Sequence, residues 1–224
     1  MKRLIMTMAA LLGGVASVLG QFNATVDPNA NWVGYMNVFN LPSNGGGYVF
    51  GDSWGTADLP ANFGAGVLTL GPNTNTYNPN DAFWVDATTG AGNKSLEANF
   101  FVEDPGLRGQ TVNFSGTVQS NTLTQDYTAI AIIKVLDANA GYSLAFSDSA
   151  PLVAGNFNLS LQIPAGTNYI PQYGFQVVGP NAPSGHGFGS VVVTAVPEPS
   201  TVALLGGLGA LIFVAVRRYR GARA

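Results

Sequence analysis

The chain has 224 residues with no cysteine and a single histidine, and charged side chains make up only 9% of it. Without cysteine, disulfide bonds cannot stabilise the fold, and a zinc site built from cysteine and histidine ligands is excluded. The charged fraction is far below the roughly 25% of ordinary soluble domains. Uncharged polar residues, chiefly asparagine, threonine, serine and glutamine, must therefore provide much of the polar surface.

Basic residues are scarce between the two ends of the chain. Six of the nine lie at the termini, namely Lys2, Arg3, Arg217, Arg218, Arg220 and Arg223. Residues 21–196 retain Lys94, Arg108 and Lys134 against eleven acidic residues, a net charge of −8. A surface of this sign repels phosphate backbones, so the composition argues against a nucleic-acid partner.

The N-terminus has the layout of a secretory signal peptide. Lys2 and Arg3 precede an apolar stretch over residues 4–12, which continues through small residues to Leu19. Val18 and Gly20 suit the positions three and one before a cleavage site. Residues 1–20 are therefore predicted to be a signal peptide, and a retained N-terminal anchor is the alternative.

The C-terminus combines a proline-containing motif, an uncharged apolar run over residues 201–216, and a basic end over residues 217–224. As a helix, the sixteen residues of the run would be about 24 Å long, somewhat short of the hydrocarbon core of about 30 Å. The arginines beyond the run place the C-terminus in the cytoplasm by the positive-inside rule. A transmembrane helix at about 201–216 is predicted, and an anchor that is never cut is the alternative.

This order of parts resembles the PEP-CTERM protein-sorting signal, over residues 196–224 only. The resemblance rests on the motif Val196, Pro197, Glu198 and Pro199 and on the basic cluster Arg217, Arg218 and Arg220. It implies export across the inner membrane of a Gram-negative-type cell and transient anchoring in that membrane. It also implies processing by an exosortase, a membrane-embedded cysteine transpeptidase-like enzyme. The final location would be the cell envelope, cell surface or extracellular matrix of a producer of extracellular polysaccharide.

Alternation of apolar and polar residues dominates residues 21–195. Residues 157–163 alternate at every position, as a half-buried strand requires. Residues 129–136 are rich in isoleucine and valine and are predicted to be a central strand buried on both faces. The other predicted strands are 31–39, 47–50, 66–70, 82–85, 96–102, 112–118, 142–146, 173–178 and 188–194.

Turn clusters rich in glycine, proline and asparagine separate these strands, and neither an amphipathic helix nor a fixed-period repeat is visible. The pattern predicts an all-β fold, an antiparallel β-sandwich forming one extracytoplasmic domain over residues 21–195. The number of strands exceeds that of immunoglobulin domains and favours a jelly-roll-like arrangement.

A Gly-x-Ser-x-Gly pattern formed by Gly51, Ser53 and Gly55 is typical of a hydrolase nucleophile elbow. That elbow needs a helix directly after it and a parallel sheet beneath it, and the sequence offers neither. The available base, His186, lies in a loop between two glycines. Ser53 is therefore predicted to lie in a turn between strands, and no catalytic residue is assigned.

Two other kinds of site depend on carboxylates. Glu97, Glu103 and Asp104 are close in sequence, but nothing marks them as the acid pair of a glycoside hydrolase. Calcium is the one candidate cofactor, because it takes oxygen ligands at turn-rich, acidic loop edges. The candidate ligands are Asp81, Asp86, Asp104, Asp126 and Asp137, and no ligand set can be assigned.

Aromatic residues supply the candidate for glycan contact. Trp32 and Trp84 fall in predicted strands and are predicted to be core, whereas Trp54 is predicted to lie in a glycine-flanked turn and is the first candidate to contact a sugar ring. The region 32–63 also looks like a recurring PEP-CTERM ectodomain type, itself similar to carbohydrate-binding jelly rolls. The prediction is a non-catalytic surface or matrix protein associated with extracellular polysaccharide. The alternatives are a carbohydrate-binding module with a defined site and, less favoured, a glycoside or ester hydrolase.

Overall fold

The computed structural model describes residues 20–195, which form two packed β-sheets. Three single turns of 3₁₀ helix, Pro42–Asn44, Pro105–Leu107 and Ala138–Ala140, lie between strands. The strands of the described residues are β1 (Gln21–Ala24), β2 (Trp32–Asn40), β3 (Tyr48–Trp54), β4 (Ala61–Gly64), β5 (Val67–Leu70), β6 (Lys94–Glu103), β7 (Thr111–Asn121), β8 (Thr128–Asp137), β9 (Ser143–Pro151), β10 (Gly155–Gln162), β11 (Tyr169–Pro180) and β12 (Val191–Thr194).

The first sheet, sheet A, is organised around β7. Strand β10 pairs antiparallel with β7 from Gly155 opposite Val118 to Gln162 opposite Thr111. The other edge of β7 is shared by β1, which is parallel to its first half, and β12, which is antiparallel to its second half. Strand β12 also pairs with β5, and β5 pairs with β4.

The second sheet, sheet B, has the strand order β3-β2-β6-β11-β8-β9, and every neighbouring pair is antiparallel. Its strands β6, β11 and β8 are ten, twelve and ten residues long, longer than the usual five or six. Sheet B therefore presents a broad surface on each of its two faces.

The core lies between the sheets. Met36, Phe175 and Ile133 from sheet B are at most 1% exposed, as is Phe114 from sheet A. The rings of Phe114 and Phe175 meet across the interface with centroids 5.3 Å apart. Fully burying a side chain of this kind stabilises the fold by about 1.5–3 kcal/mol, so these contacts can hold the sandwich together without disulfides.

The predicted two-sheet, mainly antiparallel β-fold is confirmed, but three details of the prediction are wrong. Residues 82–85 form a turn with one isolated bridge, because the Asp81 carboxylate accepts a hydrogen bond from the Phe83 backbone N–H at 2.9 Å. The short strands β1 and β4 were not predicted, since four residues carry little alternation. Strand β8 is buried on one face only, and Ile130 and Ile132 are half-buried on the other.

No helix among residues 20–195 is long and apolar enough to cross a membrane. The predicted transmembrane helix, the sorting motif, the basic cluster and the signal peptide other than Gly20 lie outside the described residues.

Candidate functional site: a groove across sheet B

A groove of about 1160 Å³ crosses the face of sheet B that points away from the core. It begins at β3, with Tyr48 and Ser53, and ends at the turn between β8 and β9, with Gly141 and Tyr142. The six strands of sheet B span about 24 Å at the usual spacing of about 4.8 Å. The groove thus runs across the strands from one edge of the sheet to the other.

The groove has aromatic residues near both ends. Tyr48 at the β3 end is 61% exposed, and Tyr142 at the β9 end is 63% exposed. Tyr35 on β2 is half-buried beside the first of them, and Phe101 on β6 is buried in the middle of the floor. The exposed rings offer flat apolar faces whose hydroxyl groups can also form hydrogen bonds.

A hydrogen-bonded polar network centred on Asn99 lies on this face of sheet B and reaches the groove through Asn37 and Lys134, which line it. The Asn99 side chain is 1% exposed, and its Oδ1 accepts from Lys134 Nζ and from Gln176 Nε2, both at 3.1 Å. Its Nδ2 donates to Glu97 Oε1 at 3.1 Å, and Asn37 Nδ2 donates to the same oxygen at 2.8 Å. Such a network orders several side chains on one surface.

Lys134 is the basic residue of this network and of the groove lining. Its half-buried ammonium lies 5.1 Å from the centroid of the Phe101 ring. Burial lowers the pKa of Lys134 below its ordinary value, and the negative charges of Glu97 and Glu103 oppose that shift.

Gln172 sits between two charged neighbours in the sheet register, Glu103 on β6 and Lys134 on β8. Its Nε2 donates to Glu103 Oε2 at 2.6 Å. Its Oε1 is a buried acceptor without a hydrogen-bond partner among the described residues. Because a buried unpaired acceptor is costly, this atom marks a place where the floor lacks a donor.

A glycine at the centre of β11 allows this strand to pair closely with β6. Gly174 lies opposite Phe101 in the register of β11 and β6. A Cβ atom at residue 174 would collide with the Phe100 carbonyl oxygen and lie 2.6 Å from Phe101 Cα. The absence of a side chain here lets β6 and β11 pair closely while Phe101 fills the space above the glycine.

Trp54, the residue proposed from sequence for glycan contact, lies at the rim of this groove. It is the last residue of β3 and not part of a turn, because its backbone pairs with Gly34. Its side chain is half-buried and packs against the core while also lining the groove. Its role as a glycan contact stays a prediction.

The other two tryptophans are half-buried against the core. Trp32 stacks on Phe100 with ring centroids 4.6 Å apart. Trp84 lies in the turn after Asp81 and makes an edge contact with Phe50.

The Gly-x-Ser-x-Gly pattern does not form a nucleophile elbow, because its serine lies within a strand. Ser53 lies inside β3, so the prediction that it occupies a turn is wrong. His186 lies in the exposed loop between β11 and β12, where its ring is 6.4 Å from that of Phe188. No hydrogen bond joins Ser53 to His186 within residues 20–195.

The structure does not bring the carboxylates of β6 together. Glu97 and Glu103 are six residues apart on one strand, so their Cα atoms are about 20 Å apart, beyond the range of about 5 to 9.5 Å between glycosidase carboxylates. Asp104 instead caps a 3₁₀ turn by accepting from the Gly106 backbone N–H at 2.7 Å.

The candidate calcium ligands are spread over separate loops. Asp81, Asp86 and Asp137 each accept hydrogen bonds from backbone N–H groups two or three residues further on, as Asp104 also does. Asp126 is exposed in the turn before β8. In the part of the chain that the structure describes, no three acidic or histidine side chains form a metal-binding group.

Sequence reasoning missed most of the groove. A usable signal was the recurrence of Glu97, Asn99 and Glu103 at alternate positions of an otherwise apolar strand, together with Gln172 and Gln176 at alternate positions of another. Polar residues at this spacing share one face of a sheet.

No curated protein matches the chain. A solved structure described as "CBM4 structure and function" is similar to it with 11% sequence identity, over 72% of this chain and 86% of that chain. The TM-score of 0.30 is too low for this likeness to carry an argument.

The tail gives a specific match. Residues 195–219 match the family model of the PEP-CTERM protein-sorting motif. This range includes Val196, Pro197, Glu198 and Pro199 together with Arg217 and Arg218, and Arg220 lies one residue beyond it. The chain therefore carries a PEP-CTERM sorting motif at residues 195–219, which indicates exosortase-dependent export.

Proposed function

We propose that this chain is an exported, non-catalytic surface or matrix protein that binds an extracellular polysaccharide in the groove of sheet B. The sorting motif supports the export part of the proposal. The groove supports the binding part, because it combines exposed aromatic rings at both ends with a hydrogen-bonding floor between them.

The proposal includes the organisation predicted from the two ends of the chain. Residues 1–20 act as a cleaved signal peptide, residues 21–195 form the extracytoplasmic domain, and residues 201–216 hold the protein in the inner membrane until an exosortase processes it. The crossing of strands between the two sheets supports a jelly-roll-like arrangement of the domain. The processed protein then resides in the envelope, at the cell surface or in the matrix.

The chemistry of the groove suits sugar rings. A sugar ring has an apolar face that packs on an aromatic ring and a rim of hydroxyl groups that needs donors and acceptors. Tyr48 and Tyr142 supply the exposed aromatic faces, and Glu103, Lys134 and Gln172 supply polar atoms between them. Ligand sites commonly combine an apolar lining with a few placed polar groups in this way.

Two features favour binding over hydrolysis. The acidic residues of β6 point to the same face but lie too far apart to flank one glycosidic bond. Ser53 and His186 lie on β3 and in the β11–β12 loop respectively, without the strand-turn-helix setting of an ester hydrolase nucleophile.

The test is calorimetric titration of the full chain in detergent with the producing organism's own extracellular polysaccharide. We expect saturable binding, and we expect Tyr48→Ala and Tyr142→Ala each to weaken it about tenfold, the upper range of one aromatic contact. Both side chains are more than 60% exposed, so their removal should leave the fold intact.

The matched control is Phe83→Ala, since Phe83 is 40% exposed but does not line the groove. It should leave affinity unchanged. Trp54→Ala tests the rim residue, and titrations with calcium and with chelator test the candidate ion. A folded protein that releases no heat with any polysaccharide fraction would overturn the proposed function.

A further inference from the structure

We infer that the polysaccharide held in this groove carries no anionic groups, and that its hydroxyl groups donate hydrogen bonds to the acceptors of the groove floor. This inference rests on the proposed function and specifies its substrate class as unsubstituted, uncharged sugar rings. Three features of the described residues carry it.

The first feature is the charge of the floor. Glu103 and Lys134 line the groove, and Glu97 lies beside them, linked to Lys134 through Asn99, so these three charged groups sum to −1. The other two basic residues of the domain are engaged elsewhere: Lys94 Nζ lies over the Phe83 ring at 4.5 Å, and Arg108 donates to the Tyr169 carbonyl. A polymer bearing carboxylate or sulfate groups would meet repulsion from the floor and from the acidic domain around it.

The second feature is the state of Lys134, which could otherwise attract an anion. Its Nζ donates to Asn99 Oδ1 at 3.1 Å and lies over the Phe101 ring. Lys134 is thus hydrogen-bonded within the network, and the negative charges of Glu97 and Glu103 reduce its attraction for an anionic ligand.

The third feature is an excess of acceptors. Gln172 is 4% exposed and lines the groove, and its buried Oε1 has no donor within residues 20–195. Glu103 beside it brings two further acceptor oxygens, of which Oε2 receives the Gln172 amide. A sugar hydroxyl can donate to the exposed Glu103 carboxylate, whereas a carboxylate or sulfate on the ligand only accepts. The floor therefore favours rings that keep their hydroxyl groups.

The experiment separates the producer's extracellular polysaccharide by anion exchange into an unretained, uncharged fraction and a retained, anionic fraction. The full chain in detergent is titrated with each fraction at low salt. We expect the unretained fraction to bind at least tenfold more tightly per sugar residue. Equal or tighter binding of the retained fraction would overturn the inference and leave the proposed function standing. Binding of neither fraction would overturn both.

A pair of charge variants tests the cause of this preference. Glu103→Gln removes one negative charge while keeping an oxygen that can accept from Gln172, so affinity for the retained fraction should rise threefold or more. Asp126→Asn makes the same charge change at an exposed residue of the β7–β8 turn, outside the groove. It should leave affinity for both fractions unchanged. An equal rise in both variants would assign the preference to overall charge and would contradict a role for the floor.

Discussion

Asn99 shows how much a single residue can determine on this surface. It accepts hydrogen bonds from Lys134 and Gln176 and donates to Glu97, and it is almost completely buried. Because two of these partners, Lys134 and Glu97, are charged, the side chain stabilises more than an ordinary amide would. Its neighbours along β6, Ala98 and Phe100, face the core, so the backbone cannot turn to compensate for its loss.

We expect Asn99→Leu to lower the free energy of unfolding by about 2–3 kcal/mol, since it leaves a half-buried ammonium and an amide without their acceptor. Urea unfolding followed by tryptophan fluorescence measures the change. The matched control is Asn62→Leu at an exposed residue of β4, where the change should stay within about 0.5 kcal/mol. Similar losses at both residues would show that the network contributes little.

Tyr127 links the stability of the fold to alkaline pH. Its hydroxyl donates to the Pro180 carbonyl at 2.9 Å, and burial, followed by the charge of Asp126, raises the pKa of Tyr127 to about 12. The folded state therefore holds this proton more tightly than the unfolded chain, whose tyrosine pKa is about 10. Its contribution to stability is complete below pH 10 and is lost as pH rises from about 10 towards 12.

We expect Tyr127→Phe to lower the free energy of unfolding by about 1 kcal/mol at pH 7, because the Pro180 carbonyl loses its donor. Above pH 10 the variant should lose stability less steeply than the unsubstituted chain, since phenylalanine cannot ionise. Urea titrations at intervals from pH 8 to pH 12 measure both effects. Parallel pH profiles would contradict the assignment of this titration to Tyr127.

At the scale of elements, the pairing of β6 with β11 forms the centre of sheet B and the floor of the groove. Gly174 permits this pairing, because a Cβ atom there would contact the backbone of Phe100 and Phe101. Backbone atoms at the middle of two long central strands cannot move aside as the end of a flexible side chain can.

We expect Gly174→Ala to lower the free energy of unfolding by about 1–3 kcal/mol, the usual cost of overpacking, and to weaken polysaccharide binding with it. Gly47→Ala is the control, because a Cβ atom at this exposed residue would meet no atom within 4 Å. Thermal unfolding of the two variants gives the comparison. If Gly174→Ala were as stable as Gly47→Ala, β6 and β11 would be able to move apart at residue 174 without cost, which would contradict the prediction.

The elements also show what alternation can and cannot predict. It predicted β7 and β10 well, because each has eight or more residues and one core-facing side. It could not show which face of a central strand meets the second sheet, since β6 carries Phe100 on the core side and Phe101 on the groove side. For the same reason Trp54 was predicted as a glycan contact, whereas Tyr48 and Tyr142 were not. These two tyrosines line the same groove only because of the order of strands in sheet B. Strand order follows from long-range pairing, which local periodicity does not encode.

At the scale of the whole molecule, the sorting motif directs export, and the proposed function assigns polysaccharide binding to the sandwich. The motif occupies residues 195–219, directly after the last described strand. The domain of residues 20–195 contains its own core between two sheets.

We therefore expect a chain that ends at residue 195 to be exported and released into the medium, whereas the full chain remains with the envelope until it is processed. Immunoblots of medium and envelope fractions from producing cells measure the distribution. Replacing Pro197, Glu198 and Pro199 together by alanine is the companion variant, and it should leave an unprocessed, membrane-associated form. Release of that variant in the processed size would contradict recognition of the motif.

The pairing of β12 on both of its edges has a mechanical consequence. The described chain leaves the domain from β12 on sheet A, while the groove lies on the far face of sheet B. A load between a bound polymer and the tethered tail would thus cross the core of the sandwich. The strand that receives this load at the tail side is hydrogen-bonded on both edges, to β7 and to β5. Tension would meet two rows of backbone hydrogen bonds at once, so the attachment resists being peeled from the sheet one bond at a time.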